Sequence, residues 1–149
     1  LLYVGQIQPR KNLVRLIQAF EKVCEAHPEL PHHLVLAGAD GWQPEATHRA
    51  VEASLVAHRI HRLGYVPEAE LPALMAHADV LALLSFGDAG VLVEPTDTAA
   101  IAEGMAQLLR DPTLRATCEA RGKDRAKQFS WERCARTIAQ VAQALTSED

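Results

Sequence analysis

The chain has 149 residues, 48% of them hydrophobic and 23% charged, a composition typical of one globular domain with a sizeable core. A formal net charge of -4 and a pI near 6.0 give no reason to expect nucleic acid or an anionic membrane surface as the partner. No apolar run approaches the roughly 20 residues that span a membrane, and no signal peptide precedes the first run, residues 1–4. Because the chain opens directly on this run, we expect it to be a piece of a longer protein.

Short apolar runs alternate with longer stretches of helical spacing through the first half of the chain. Predicted strands cover residues 1–4, 34–37, 60–63 and 79–84, and predicted helices cover residues 13–26, 45–58 and 68–77. Asn12 is predicted to cap the first helix, and His27-Pro28 to end it. This β-α-β-α-β-α-β order predicts an α/β fold with a parallel sheet covered by helices.

The C-terminal tail is predicted to be almost entirely helical. Asp97 is placed to cap a helix over residues 99–110, and Asp111 with Pro112 to start a second helix. Ser130 is placed to cap a third helix, over residues 131–145. The three cysteines, Cys24, Cys118 and Cys134, show no CxxC or Cys/His metal spacing, and we expect each to lie reduced on a helix.

The stretch VLALLSFGDAGVLVEP, residues 80–95, interrupts this alternation. Its apolar runs at 80–84 and 91–93 are joined by only six residues. Neighbouring parallel strands need a crossover of about a dozen residues or more, so these two runs cannot be consecutive parallel strands. Either the second run turns back as an antiparallel hairpin, or a crossover unit is missing between Phe86 and Gly87. Periodicity alone does not choose between them.

Five consecutive blocks resemble one family. They are LLYVGQIQPRKNLVRLIQAFEKV, HLVLAGADGW, HRLGYVPEAELPALMAHADVLALLS, GDAGVLVEPTDTAAIAEGMAQLLRDPTLR and RAKQFSWERCARTIAQV. In this order they resemble the C-terminal, donor-binding domain of retaining GT-B glycosyltransferases of family 4, group 1, and in particular its mannosyltransferase-like members. The resemblance covers essentially the whole chain. It implies that residues 1–149 are one Rossmann-like half of a GT-B fold, with helices on both faces of the sheet and a helical tail.

The family carries one further block, which belongs between Ser85 and Gly87. There the resemblance implies a glycine-rich loop, an E-x7-E acidic motif, a helix and another strand, whereas this chain passes from LALLS and Phe86 directly to GDAG. This agrees with the crossover argument and favours a missing unit over a hairpin. Its origin stays open among an unseen segment, a segment removed by engineering and a natural loss. No catalytic residue can be assigned without the acidic motif.

The loop after the first predicted strand carries the best candidates for binding a diphosphate. Arg10 and Lys11 precede the first helix directly, and cations beside a helix N-terminus suit an anionic group. The resemblance implies that Lys11 is the main phosphate contact and Arg10 a helper, with no catalytic metal or other cofactor. Gln6 stands where many relatives have arginine, so it offers hydrogen bonds but no charge. The alternative is that both cations are simply solvated.

Turns after later strands supply the candidate base and sugar contacts. By resemblance, backbone groups around Gly64, Tyr65 and Val66 contact the nucleotide base, whereas an ordinary turn with a packed tyrosine is the alternative. Gly38 lies on the same predicted edge and lets a ligand approach the backbone, although its turn needs no ligand. Ser85 ends the fourth predicted strand, near the expected sugar-diphosphate, unless it is only a strand-end residue.

Other polar residues are not predicted to be site residues. His58 and His61 straddle a helix end and a strand, so they do not favour a metal site. Glu94 is interpreted as a solvent residue at a strand end and Asp97 as a helix cap, because neither matches the family's acidic motif. The absence of GxGxxG after the first strand argues against a nicotinamide-dependent oxidoreductase.

The expected function is therefore the donor-binding half of a retaining glycosyltransferase. The resemblance implies transfer of a mannose-like hexose from a UDP- or GDP-sugar to a glycan or lipid, with an N-terminal acceptor-binding domain as partner. It implies bacterial surface polysaccharide synthesis in the cytoplasm, with peripheral association at the inner face of the plasma membrane left open. This chain alone is expected to bind a nucleotide and transfer little. The alternative is a catalytically inert nucleotide-binding or interaction module derived from the same family.

Overall fold

The computed structural model describes residues 1–82 and 90–130, together with residues 132–133, 135–136 and 138–140. Its strands are β1 (Leu2–Val4), β2 (Leu34–Ala37) and β3 (Ile60–Gly64), and its helices are α1 (Leu13–Ala26), α2 (Glu45–Ala53), α3 (Leu71–Ala76), α4 (Thr98–Arg110) and α5 (Pro112–Ala126). Ser85, the junction between Phe86 and Gly87, Trp131 and Cys134 lie outside the described residues.

The strands form a parallel sheet in the order β1-β2-β3. On the other side of β1, Leu81 makes an isolated parallel bridge with Leu2. The Leu2 amide donates to the Val80 carbonyl and the Ala82 amide donates to the Leu2 carbonyl, both at 2.8 Å. The chain therefore returns past β1 after β3. The α/β fold and the parallel, Rossmann-like sheet predicted from the sequence are confirmed.

The core lies between the sheet and α1. The apolar residues of α1 recur at helical spacing and form one buried stripe, which packs against the sheet, α2 and α4. The largest fully buried side chains are Phe20, Leu2, Leu13, Ile17, Leu34 and Leu36. Burying this stripe fixes α1, and hence the loop that enters it, over the sheet.

Several predicted boundaries were wrong. The second helix ends at Ala53 and is followed by a separate 3-10 turn, Ala57–Arg59, and α3 is shorter than predicted at both ends. The predicted strand 79–84 reduces, within the described residues, to the bridge at Leu81. Residues 91–93 form no strand, so Glu94 does not end one. Val91 and Val93 instead pack against α4, where a Cβ added to Gly104 would lie 3.3 Å from Val91 Cγ1 and 2.8 Å from Val93 Cγ1, whereas Leu92 is exposed.

The caps predicted at Asp97 and Ser130, and the helix start predicted at Asp111, are confirmed. The Asp97 carboxylate accepts from the amides of Ala99 and Ala100, and the Asp111 carboxylate accepts from those of Thr113 and Leu114. Ser130 Oγ accepts from the Arg133 amide at 3.2 Å, as expected of a cap. Each cap satisfies first-turn amides that the helix itself leaves without partners. No helix in the described parts of the chain is both long and apolar enough to cross a membrane.

Candidate functional site

The loops that follow β1 and β2 are joined by backbone hydrogen bonds. The Ile7 amide donates to the Ala39 carbonyl at 3.0 Å, and the Gly41 amide donates to the Ile7 carbonyl at 2.9 Å. The loop after β3 joins the same group, because the Gly38 amide donates to the Gly64 carbonyl at 2.7 Å. Three loops at the carboxyl edge of the sheet therefore form one connected surface.

At Gly38 the backbone of the loop after β2 comes very close to the backbone of the loop after β1. The φ of Gly38 is +150°, and a Cβ added there would lie 2.0 Å from the Gly5 carbonyl oxygen. No side chain fits in that gap, so the β1 and β2 loops can come together only with glycine at this position. The predicted close approach at Gly38 is thus an approach of the chain's own backbone. That accounts for the glycine without a ligand.

The buried Tyr3 side chain holds the loop that follows β1 in place. Its hydroxyl donates to the Gln6 carbonyl at 2.9 Å. Burial raises the pKa of the Tyr3 phenol, while the nearby Arg10 guanidinium acts in the opposite sense, so the hydroxyl remains a donor at neutral pH. The Gln6 side chain is exposed above this anchored turn.

Lys11 and Arg10 differ in their surroundings. Lys11 is half-buried at the end of the turn Pro9–Lys11, separated from the first residue of α1 by Asn12 alone, and it lines a cavity. Arg10 is exposed, and its guanidinium lies 3.1 Å from the Gln8 amide oxygen once that amide is turned to satisfy its neighbours. Lys11 forms no salt bridge with a carboxylate of the described residues. Of the two cations, Lys11 is better placed to meet an anion.

Asn12 does not cap α1, contrary to the prediction. Its backbone is left-handed, with φ 55°, and its side chain accepts no bond from the first-turn amides. Its Nδ2 instead donates to the Pro95 carbonyl at 2.6 Å, and its Oδ1 accepts from Arg15 at 3.0 Å. Asparagine tolerates the left-handed region, which is why this residue type suits the position. The N-terminus of α1 therefore lacks a side-chain cap and stays suited to an anion.

Asn12 thus links the β1 loop to the segment before α4, and this link is testable. We expect Asn12→Ala to lower the free energy of unfolding by about 1–2 kcal/mol, because it loses the bond to Pro95 and places alanine in a left-handed conformation. Asn12→Gly should lose less, because only the hydrogen bond is removed. Urea unfolding of the three proteins measures both terms, and equal stabilities would contradict the link.

The strands are all parallel, but the side of β1 on which successive strands are added reverses after β3. β2 and β3 lie on one side of β1 and residues 80–82 on the other. In open parallel sheets, ligands bind outside the carboxyl ends of the strands at such a reversal. Lys11 and Asn12 lie there and line the same cavity as Ala82. The position that the fold favours for a ligand is therefore the one that holds Lys11.

The candidate base contacts lie further along the edge. Gly64 has φ +68° and turns the chain out of β3. Tyr65 is 75% exposed, so the packed tyrosine of the alternative interpretation is wrong. Val66 is half-buried. Neither Tyr65 nor Val66 lines the cavity beside Lys11. The adjacent Gly64 is held to the loop after β2 by the bond from the Gly38 amide to the Gly64 carbonyl.

The sequence did not predict a histidine pair at the opposite edge of the sheet. His33 precedes β2, His61 lies at the start of β3, and their rings stack with Nδ1 of His33 2.7 Å from Nε2 of His61. Desolvation, and then repulsion from His61, lowers the pKa of His33. Pairing of Val35 with His61 in the sheet register creates this contact, which sequence spacing alone does not reveal.

The two carboxylates set aside from the acidic motif have local partners. Glu94 Oε1 accepts from the Thr96 amide at 3.1 Å and from its hydroxyl at 2.6 Å, and the hydroxyl bond is the main cause of a lowered Glu94 pKa. Glu94 is exposed, as predicted, and Asp97 is the cap of α4. Neither carboxylate is among the residues that line the cavity beside Lys11.

A family model described as glycosyl transferases group 1 matches residues 1–87, more than half of the chain. The chain belongs to this family. Among curated members it is 32% identical over 163 residues to O-antigen chain mannosyltransferase B of Escherichia coli, covering 89% of the chain and 42% of that protein. The group 1 glycosyltransferase assignment made from the five blocks is confirmed.

Two further relatives in the comparison are D-inositol 3-phosphate glycosyltransferases. The one from Corynebacterium urealyticum is 22% identical over 179 residues, covering 96% of the chain and 42% of the relative. The one from Corynebacterium diphtheriae is 22% identical over 174 residues, covering 93% and 41%. The chain thus spans about two fifths of the length of these group 1 glycosyltransferases.

Each of these alignments has more positions than the number of residues that this chain contributes to it. With O-antigen chain mannosyltransferase B, 89% of 149 residues is about 133 residues, whereas the alignment runs over 163 positions. About 30 positions of that relative therefore have no counterpart here. The alignments with both corynebacterial proteins show a similar excess, of about 35 positions.

Proposed function

We propose that this chain is the donor-binding half of a retaining glycosyltransferase that transfers a mannose-like hexose from a UDP- or GDP-sugar to a glycan or lipid. The observation that carries the proposal is the position of Lys11. It is a half-buried cation at the uncapped N-terminus of α1, where the order of the sheet reverses. The membership in the glycosyl transferases group 1 family and the mannosyltransferase among its relatives support the choice of reaction and sugar.

The proposed role of Lys11 is to stabilise the diphosphate that leaves the sugar. An ammonium group and aligned helix amides act on developing negative charge without needing a metal ion, so we propose a site with no metal or other cofactor. Arg10 and Gln6, both exposed on the same loop, are proposed as weaker phosphate contacts, and Ser85 as a contact to the sugar-diphosphate. Binding should then persist in excess EDTA.

The nucleotide base is proposed to lie against the loop of Gly64, Tyr65 and Val66. The exposed Tyr65 ring and the left-handed Gly64 leave backbone and ring surface accessible there. The acceptor is proposed to bind a separate N-terminal domain, and the reaction to occur in the cytoplasm, during polysaccharide synthesis and with association at the inner face of the plasma membrane left open. On this proposal the chain alone binds a donor nucleotide and transfers little.

Lys11→Ala tests this function directly. We expect the affinity for UDP or GDP, measured by isothermal titration calorimetry, to fall roughly 10- to 100-fold, because a hydrogen bond to a charged group contributes about 1.5–3 kcal/mol. Lys22→Ala is the matched control, since Lys22 is exposed further along the same helix. Unchanged affinity in Lys11→Ala would overturn the phosphate site, and no binding of either nucleotide by the wild-type chain would overturn the function.

A second candidate is a catalytically inert nucleotide-binding or interaction module. It is favoured by the family match, which ends at residue 87, and by the relatives' 30 or so additional positions. A module that retains only the fold would bind no nucleotide, whereas a module that retains nucleotide affinity would, so nucleotide binding separates the two candidates only in part. They differ when the chain is combined with an acceptor-binding domain of a relative, where donor turnover supports the enzyme and binding without turnover supports the module.

A further inference from the structure

The amino-terminal edge of the sheet, opposite the candidate donor site, holds the exposed histidine pair His33 and His61. His33 directly precedes β2, and His61 is the second residue of β3. In the register of the sheet His61 pairs with Val35. Because side chains two residues apart along a strand project from the same face, His33 is brought next to His61. The sheet thus brings together two imidazoles that are 28 residues apart in the sequence.

Each ring directs one nitrogen at the other ring. His33 Nδ1 lies 2.7 Å from His61 Nε2, and the ring centroids are 4.9 Å apart. At this separation one of the two inner nitrogens carries a proton and the other accepts it. The outer nitrogens, His33 Nε2 and His61 Nδ1, bond to no described residue. A change of tautomer that moves the shared proton to an outer nitrogen therefore frees both inner lone pairs.

The distance between the inner nitrogens is close to the distance that one metal ion needs. Imidazole nitrogens bind Zn²⁺ at about 2.0–2.1 Å, so two of them on a tetrahedral ion are roughly 3.3 Å apart. The inner nitrogens, now 2.7 Å apart, have to separate by about 0.6 Å while each ring turns its lone pair toward the ion. Both side chains are exposed and the χ2 torsion of histidine is broad, so this adjustment needs little energy.

The donor atoms select the class of ion. Neutral imidazole suits Zn²⁺, Cu²⁺ and Ni²⁺, whereas Mg²⁺ and Ca²⁺ prefer oxygen ligands. Among the described residues no group of three or more His, Cys, Asp or Glu side chains is placed to hold a metal ion, so water completes the coordination. The charge of Arg59 acts on His33 and lowers the affinity for a cation, but its guanidinium is bound to the carbonyls of Leu30 and His32 and leaves the pair accessible.

We infer that His33 and His61 form a binding site for one divalent transition-metal ion of the zinc class, with His33 Nδ1 and His61 Nε2 as its protein ligands. The ion bridges the segment before β2 and the start of β3. It binds the folded chain more tightly than the unfolded chain, because the two ligands are neighbours only in the sheet. The site is structural and does not rest on the proposed function, since it lies at the opposite edge of the sheet from Lys11.

Isothermal titration calorimetry with ZnCl₂ tests the site. The reference chain carries Cys118→Ser and Cys134→Ser, which remove competing thiols, whereas Cys24 is buried in the core and is kept. We expect one zinc ion per reference chain. His33→Ala and His61→Ala should each weaken this binding at least tenfold, because either change removes one of the two ligands. MgCl₂ should give no binding to the pair.

His77→Ala is the matched control, because His77 is an exposed histidine at the end of α3 and does not belong to the pair. Its zinc affinity should equal that of the reference chain. Zinc should also raise the Tm of the reference chain and of His77→Ala, but not that of His33→Ala or His61→Ala. The affinity of His33→Ala for UDP or GDP should be unchanged, so failure of this site and failure of the donor site are seen in different measurements.

Two results overturn the inference. One is the same zinc affinity in the reference chain and all three histidine variants, which would mean that zinc binds to other side chains. The other is the absence of zinc binding by the reference chain. If an alanine variant fails to fold, His33→Gln and His61→Gln replace it, because glutamine keeps a polar side chain without an imidazole nitrogen, and the same loss of affinity is expected.

Discussion

Gly38→Ala is expected to lower the free energy of unfolding by about 3 kcal/mol or more, because overpacking and backbone strain act together. The added Cβ would lie 2.0 Å from the Gly5 carbonyl oxygen, and alanine would have to adopt a φ of +150°. The obstacle is backbone and cannot rotate away. The β1 loop is itself held to β2, since the Gly5 amide donates to the Ala37 carbonyl at 2.9 Å. Relief therefore requires the loops to separate.

Gly122→Ala is the matched control for this prediction. Gly122 lies inside α5, and a Cβ added there would have no heavy atom within 4 Å. Alanine should therefore stabilise the helix by about 1 kcal/mol, since glycine is the poorer helix former. Urea unfolding should show shifts of opposite sign for the two variants. A Gly38→Ala protein as stable as wild type would contradict the close approach of the two loops.

Gly38→Ala should also weaken nucleotide binding if the proposed site is correct. The variant separates the loop that holds Lys11 from the loops after β2 and β3, which are joined through the bond from Gly38 to Gly64. Calorimetry in the absence of denaturant, at a temperature where the variant is still folded, measures this loss. Gly122→Ala should bind as wild type does, because the added Cβ would have no heavy atom within 4 Å. Stability and binding are thus expected to change together only in the Gly38 variant.

Local patterns predicted those elements whose determinants are local. The second strand was predicted with its observed bounds, because Leu34–Ala37 is a short apolar run between polar turns. Asp97 was predicted as a cap, and Asp111 with Pro112 as the start of a helix, because each aspartate is followed closely by amides that need an acceptor. The parallel sheet followed from the alternation of strands and helices. Each of these inferences needs only neighbouring residues.

The predictions that failed depend on contacts distant in sequence. Asn12 has the right residue type for a cap, but Pro95, 83 residues away, takes its side chain. The run at 91–93 reads as a strand, yet it packs against α4 near Gly104. The fourth predicted strand pairs with β1 through a single bridge at Leu81 within the described residues 79–82. Such outcomes are set by tertiary packing, which overrides local propensity.

The sequence predicted which residues form the candidate site, but it did not predict how they are arranged in space. The position of Lys11 at the reversal of the sheet follows from the order of the strands, which the alternation alone does not fix. The sequence also did not predict that Gly38 serves the packing of two loops, because the partner atom belongs to Gly5. Tyr65 and Val66 remain predictions, because the structure places them on the same edge without bringing them to Lys11.

Phe20→Ala is expected to lower the free energy of unfolding by about 3–5 kcal/mol, the usual range for deleting a buried aromatic ring. Phe20 is fully buried on α1, and the Arg59 guanidinium lies 5.7 Å from its ring centroid. Domains of this size have a net stability of about 5–15 kcal/mol, so the variant should unfold at much lower urea concentrations. The slope of the transition should stay near that of wild type.

Phe129→Ala separates the contribution of burial from that of the cation. Phe129 also lies 5.7 Å from an arginine guanidinium, that of Arg125, but it is 69% exposed. Its loss should cost no more than about 1 kcal/mol, the value of a cation-π contact at an exposed site. If the two variants were destabilised equally, the arginine contacts, and not the core, would account for Phe20. A large difference instead means that burial of the α1 stripe fixes this helix, and with it Lys11 at its N-terminus, over the sheet.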